Sequence, residues 1–244
     1  MSNNGKYVGG MTLAAQAGLP GDGGSYAAVF DGSTGYVSIP SGIWFSGGDW
    51  TTEFWVWSNP GGYLAAYDFG NAGTDDVMHD LRGGGTGYEF VFEGSGLAYQ
   101  GGTGGTMVAS QWNHLVQAYD STAGTIQFYL NGSTDDGALP IWAPNDVTRN
   151  TNAIGKYNAL AAWFMDGSLS HFAVYDRALG GTEVANHYST GFASGSGYKD
   201  LIISAAPLAY WRLADASGTV AVDEMSAPPS GPAFRVRSSP WGGW

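Results

Sequence analysis

Residues 112–132 read WNHLVQAYDSTAGTIQFYLNG, and this stretch decides the fold class. Apolar and aromatic side chains recur at every second position on both sides of a polar, glycine-bearing break. That is the period of a β-strand, whose successive side chains point to opposite faces. The stretch therefore predicts a hairpin: His114–Asp120 out, a turn from Asp120 to Gly124, and Thr125–Leu130 back. Trp112, His114, Val116, Phe128 and Leu130 are expected on the face that enters a core. Asn131-Gly132 supplies the next tight reversal, since both residues tolerate positive φ.

The same period continues outward in both directions. It marks candidate strands at Ala27–Phe30, Tyr36–Ile39, Thr51–Val56, Tyr63–Phe69, Val77–Leu81 and Tyr88–Glu93, and again at Ala153–Ile154, Ser168–Tyr175 and Leu208–Leu213. Helical pattern is scarce: Gly181–Tyr188, with Thr182 as N-cap, and Tyr198–Ala205. The expectation is an all-β, antiparallel two-sheet sandwich. Residues 1–190 form its body. Residues 191–200 belong to a Gly/Ser-rich connector beginning near Ser189, residues 201–227 add a helix and a strand, and residues 228–244 are a Pro/Gly-rich tail. One helix and one strand cannot bury a core alone, so this C-terminal part must dock on a sandwich.

Composition sets the outer limits. The chain has 244 residues, 40 of them glycine and 10 proline, with 14% aromatics and no cysteine. Ring content of that size argues against disorder. The absence of cysteine removes disulfide frameworks, thiolate metal sites and cysteine nucleophiles. Nine Lys and Arg stand against 21 Asp and Glu, for a net charge of −12, which disfavours nucleic acid and acidic membrane surfaces as partners. The longest mostly apolar run, 201–211, is too short to span a bilayer. The opening MSNNGKYVGG lacks the pattern of a secretory signal.

Three segments carry a resemblance. They are VFDGSTGYVSIP (29–40), the hairpin 112–132, and FMDGSLSHFAVYDRALGGTEVANHY (164–188). Together and in this order they resemble the laminin G-like, concanavalin A-like jelly-roll family. A fourth segment, SAAPLAYWRLADASGTVAVDEM (204–225), resembles the family's opening strand and loop, whereas SNNGKYVGG (2–10) resembles the family's next segment after that opening. The resemblance implies a first strand displaced to the C-terminal region, with Leu208, Tyr210, Trp211 and Leu213 completing a sandwich. Two arrangements satisfy it: a permuted chain folding back beside Ser168–Tyr175, or donation of the strand to a neighbouring subunit.

Chemistry narrows the candidate sites. Glu89 and Glu93 sit in EFVFE, near the E-x-D-x-E of related glucanases, but Val91 replaces the middle carboxylate. Residues four apart on one strand lie about 13 Å apart, too far for a retaining pair. Gly94-Ser95-Gly96 is not a nucleophile elbow. His79, His114, His171 and His187 fall in four elements without ligand spacing, so no catalytic residues are expected. Calcium is the one cation that the acidic turns at Asp31, Asp75, Asp76, Asp135, Asp136 and Asp166 would suit, although no ligand pattern organises them. Trp44, Trp50, Tyr99, Trp142 and Trp163 fall in or beside predicted loops, where a ring could stack on a sugar, and the loops 83–87 and 100–105 are glycine-rich enough to admit a ligand. The segment APLAYWRLADASG resembles bacteriophage virion proteins in particular. That resemblance implies a non-enzymatic, oligomeric component on the particle surface, such as a decoration, fibre or minor tail protein, in contact with other virion proteins. Host cell-surface glycan is the expected ligand, and an adhesin the alternative reading.

Overall fold

The computed structural model describes residues 2–58, 64–82, 87–93, 99–100, 107–108, 110–159 and 163–226. In chain order the strands are β1 (Gly5–Val8), β2 (Met11–Ala17), β3 (Tyr26–Asp31), β4 (Tyr36–Ile39), β5 (Trp50–Ser58), β6 (Leu64–Gly70), β7 (Asp76–Arg82) and β8 (Gly87–Glu93). They continue with β9 (Tyr99–Gln100), β10 (Asn113–Asp120), β11 (Thr125–Leu130), β12 (Ser133–Pro140), β13 (Thr151–Ile154) and β14 (Asp166–Tyr175). Helices α1 (Gly181–Phe192) and α2 (Tyr198–Ser204) precede β15 (Ala209–Trp211) and β16 (Val220–Ala221), and a 3-10 turn spans Pro20–Asp22. The strands make two antiparallel sheets, as the jelly-roll expectation required. Sheet A runs β16-β1-β4-β13-β6-β7-β8-β9, and sheet B runs β12-β11-β10-β5-β14-β3-β2 with β15 beside β14.

Alternation on β5 explains the three layers. Trp50, Phe54 and Val56 enter the core between the sheets, beside Phe69, Leu115, Phe128 and Phe172. Trp55, from the opposite face, joins Val116, Tyr129, Tyr175, Val184, Tyr198 and Ile202 beneath the helices. The central strands of sheet B are thus buried on both faces. The hairpin is corrected accordingly. Its register places Gln117 opposite Phe128 and Leu115 opposite Leu130, so Trp112, His114 and Val116 face the helical layer instead. Period 2 reveals two faces but not which one is inside.

β14 changes neighbours along its length. Asp166–Leu169 pairs with β3 and Phe172–Val174 pairs with β15. A register shift between Ser170 and Ala173, with His171 at φ 54, marks the switch. The bulge puts both Leu169 and Phe172 in the core although they are three apart. The strand expected at Leu208–Leu213 is therefore Ala209–Trp211, paired with β14 of its own chain, with Trp211 and Leu213 in the core and Tyr210 under the helices. Beyond it, β16 pairs with β1. Asn3 N–H donates to Ser226 Oγ (3.0 Å), and Trp211 Nε1–H to the Asn3 carbonyl (3.0 Å).

The connector is also corrected. Helix α1 runs on to Phe192 and has Gly180, not Thr182, at its N-cap. Gly191 lies against the Trp55 ring, where a Cβ would stand 2.5 Å from Cζ2. Gly195 donates to the Pro20 carbonyl (3.1 Å) and accepts from Gly23 N–H (2.7 Å), which fastens this segment to the 3-10 turn. Among the described residues no helix is long and apolar enough to cross a membrane.

Candidate functional site

Two clusters of polar chemistry stand out. The first is sealed between sheet B and the helices. Glu53 is fully buried. His114 Nε2 is 2.8 Å from its Oε1, and His187 Nδ1 is 3.0 Å from both carboxylate oxygens. Tyr175 donates to Oε2 (2.8 Å) and Tyr198 to Oε1 (3.2 Å), while Tyr198 accepts from Trp55 Nε1–H (2.7 Å). Burial alone would raise the Glu53 carboxyl, but the His187 charge and the imidazole hydrogen bonds outweigh it and hold the group well below the usual range. The same pairing raises His187 against its own desolvation.

Next to it, His171 Nε2 is 3.2 Å from Asp22, its Nδ1 contacts Tyr210, and Arg212 reaches Asp22 at 2.5 Å. Three of the four histidines thus converge on one face, contrary to the scatter suggested by the sequence. His79 sits inside β7 with its ring edge-on to Phe54 (5.2 Å). Perturbed titrations of this kind mark either a site or a fastener. Glu53 and His114 are shut off from solvent, and strands and helices contribute groups from five elements. The arrangement locks the helical layer to the sheet. One signal could have exposed it: a glutamate in the midst of TTEFWVW, because a charge inside a buried strand needs partners.

The second cluster lies on the outer face of sheet A, with Asp68 and Tyr157 buried and Lys156, Asn158 and Trp163 half-buried. After β13 the chain turns at Gly155 (φ 87), where a Cβ would stand 2.3 Å from the Phe30 ring. It then crosses back over β6. Asn158 N–H donates to Asp68 Oδ2 (2.7 Å), and its side-chain amide donates to the carbonyls of Asp68 (2.8 Å) and Thr151 (2.6 Å). Tyr157 and half-buried Trp163 stack with centroids 5.0 Å apart and planes 24° from parallel, over Ala65 and Met78. Trp163 holds φ 57, a costly conformation away from glycine, and its carbonyl accepts from Ala65 and Tyr157. Beside the stack, Lys156 Nζ lies 4.8 Å from the Tyr36 ring centroid and 5.8 Å from that of Phe164. Flat rings next to amide and carboxylate groups are what sugar recognition requires.

Of the five expected rings, Trp163 lies half-buried in this cluster. Trp50 is buried against Phe45 and Tyr119, and Trp44 has its ring packed by Phe69 and Trp211 with its indole N–H on the Pro40 carbonyl. Neither offers a face to a ligand, because both fill the inter-sheet core. Trp44 lines a cleft of about 240 Å³ with Asn3, Ser41, Gly42, Ile43 and Leu208. Trp142 is half-exposed in the segment after β12. Tyr99 falls in β9, and its side chain lies outside the described residues, as do the loops 83–86 and 101–106, the segment 94–98 and the tail 227–244. Tyr157, Asn158, Tyr36 and Lys156 escaped sequence reading because only the folded loop brings them together.

The register also revises the carboxylate geometry. In the β7–β8 ladder Glu89 stands opposite Asp80 and Glu93 opposite Asp76. Cross-strand positions are about 5 Å apart, unlike positions four apart on one strand. The acidic turns do not assemble a calcium site among the described residues, where no group of three or more His, Asp or Glu is suitably placed. Asp31, for one, has both oxygens occupied by Ser33 and Thr34 donors.

The sequence profile described as the concanavalin A-like lectin/glucanases superfamily matches residues 31–185. No curated protein matches the chain in sequence. Several solved structures share its shape. Domain 4 of AbnA, a GH43 extracellular arabinanase from Geobacillus stearothermophilus in complex with arabinotriose, is 20% identical with a TM-score of 0.52, over 66% of this chain and 75% of that one. The CBM40 of the Ruminococcus gnavus IT-sialidase, bound to α2,3-sialyllactose, is 12% identical with a TM-score of 0.51, over 64% and 96%. A heptameric SAP-like pentraxin from Limulus polyphemus is 13% identical with a TM-score of 0.50, over 93% and 98%. At these identities the likeness is one of fold.

Proposed function

This chain belongs to the concanavalin A-like lectin/glucanases superfamily, and from that premise we propose that it is a non-catalytic carbohydrate-binding domain whose ligand lies on the outer face of sheet A. The observation that carries the reading is the Tyr157–Trp163 stack, held by a strained backbone beside the Asp68–Asn158 anchor. Two of the similar structures hold saccharides, which supports the same class of ligand. As its setting we propose the surface of a virion, where the domain would sit as one copy of an oligomer. That finer reading rests on the likeness of residues 206–218 to phage proteins, and the heptameric state of the similar pentraxin is consistent with it.

Tryptophan fluorescence titrated with host cell-wall polysaccharide and an oligosaccharide panel tests the ligand class. Binding should quench the signal and raise the melting temperature, because a ligand selective for the native state stabilises it. Trp163→Ala should weaken binding at least about tenfold, or about 1.4 kcal/mol, while Trp142→Ala leaves it unchanged. No response to any saccharide would end this reading. Release of reducing ends that disappears in Asp80→Asn would instead establish a hydrolase built on the cross-strand carboxylates.

A further inference from the structure

The cations of this acidic chain are distributed unevenly. Arg177, Lys199 and Arg212 each sit on a carboxylate, at 2.6, 2.8 and 2.5 Å. Arg149 is buried and donates to the carbonyls of Asp75, Phe45 and Asn145. Among the residues whose side chains are described, Lys6 and Lys156 are the cations held neither by an ion pair nor by backbone carbonyls. Both lie on the outer face of sheet A. Lys6 is exposed on β1, opposite Ser38 and two residues along the ladder from Tyr36, which stands opposite Val8. Lys156 rests on the faces of Tyr36 and Phe164, next to the Tyr157–Trp163 stack.

A ring face holds an ammonium by its quadrupole but uses none of its three N–H donors as an acceptor would. Lys156 is therefore positioned and still has donors for an anion. Lys6 and Lys156 both lie on the β1–β4 side of this face, where they would attract an anionic group.

We propose that the carbohydrate face is selective for acidic saccharides, sugars bearing a carboxylate or sulfate, whose anionic group sits at Lys156 and Lys6. The uncharged hydroxyls extend over Trp163 towards Asn158 and Asp68. This inference rests on the carbohydrate-binding reading and narrows it.

The test titrates the full chain with matched pairs: cellobiose against cellobiouronic acid, lactose against 3′-sialyllactose, and lactose against its 3′-sulfate. The acidic member of a pair should bind about tenfold more tightly at low salt, and the advantage should shrink as ionic strength rises. The uronic or sialic pair distinguishes a carboxylate site from a sulfate site. Lys156→Gln should remove the preference, so that each acidic sugar binds no more tightly than its neutral partner, and Lys156→Arg should restore it. Equal affinities within every pair overturn the acidic selectivity while leaving the carbohydrate reading intact. Absence of binding to every one of these sugars overturns both. An acidic preference that survives Lys156→Gln and Lys6→Gln together overturns the assignment to these lysines.

Discussion

Replacing Glu53 by alanine would leave two imidazoles and two phenol hydroxyls without their common acceptor. Breaking a buried, fully partnered charge costs about 3–5 kcal/mol, and denaturant unfolding should show a loss of that size. Glu53→Gln keeps the volume and part of the hydrogen bonding, so its loss should be smaller. Gly155 acts at a different point. Its φ of 87 and the 2.3 Å approach to Phe30 leave no room for a methyl group. Gly155→Ala should cost about 1–3 kcal/mol and displace the loop that carries Lys156 and Trp163, so saccharide affinity should fall together with the melting temperature.

At the scale of elements, the C-terminal strands complete both sheets. β15 covers the edge of β14 and β16 that of β1, and Trp211 fills the core between them. Trp211→Ala should destabilise by about 3–5 kcal/mol. Deleting residues 205–244 should expose two unpaired edges and yield aggregated protein, checked by soluble yield and size-exclusion chromatography. A monomeric truncation that melts like the full chain would show that these strands are dispensable.

Legibility in the sequence divides along the same line. Central strands such as Tyr36–Ile39 and Thr125–Leu130 were legible to the residue, because buried β-branched and aromatic side chains impose the period. Edge strands were missed: β12 reads STDDGALP, with the glycine, proline and charge that suit an edge and blur the signal. Trp163 was legible as a loop aromatic. Its partners were not, and neither was the Glu53 cluster, where His187 is 134 residues away in sequence. Contacts set by tertiary folding leave no local pattern.

For the molecule as a whole, buried titrating groups set the acid limit. Burial pushes His79 down to about 3 in the native state, against 6.5 when unfolded. Between those values the unfolded chain takes up a proton that the native one refuses, so stability falls with pH at up to about 1.4 kcal/mol per unit. Glu53, held low, adds a loss as pH drops below its ordinary value. His187, held high, has the opposite sign: its contribution is complete below about 6.5 and fades as pH rises through its raised value. Stability measured from pH 7 to 3 should therefore decline steadily, and His79→Leu should flatten that decline by about one proton.

The meeting of Asn3 and Ser226 also has a mechanical meaning. β1 and β16 run antiparallel with Gly5 opposite Ala221, so both chain exits leave from the same end of the pair. A load applied across Asn3 and Ser226 opens the ladder like a zipper, one bond at a time, because the hydrogen bonds lie along the pull rather than across it. Tethered by these two points the sandwich yields at low force. Tethered through only one of them, it passes tension by without bearing it.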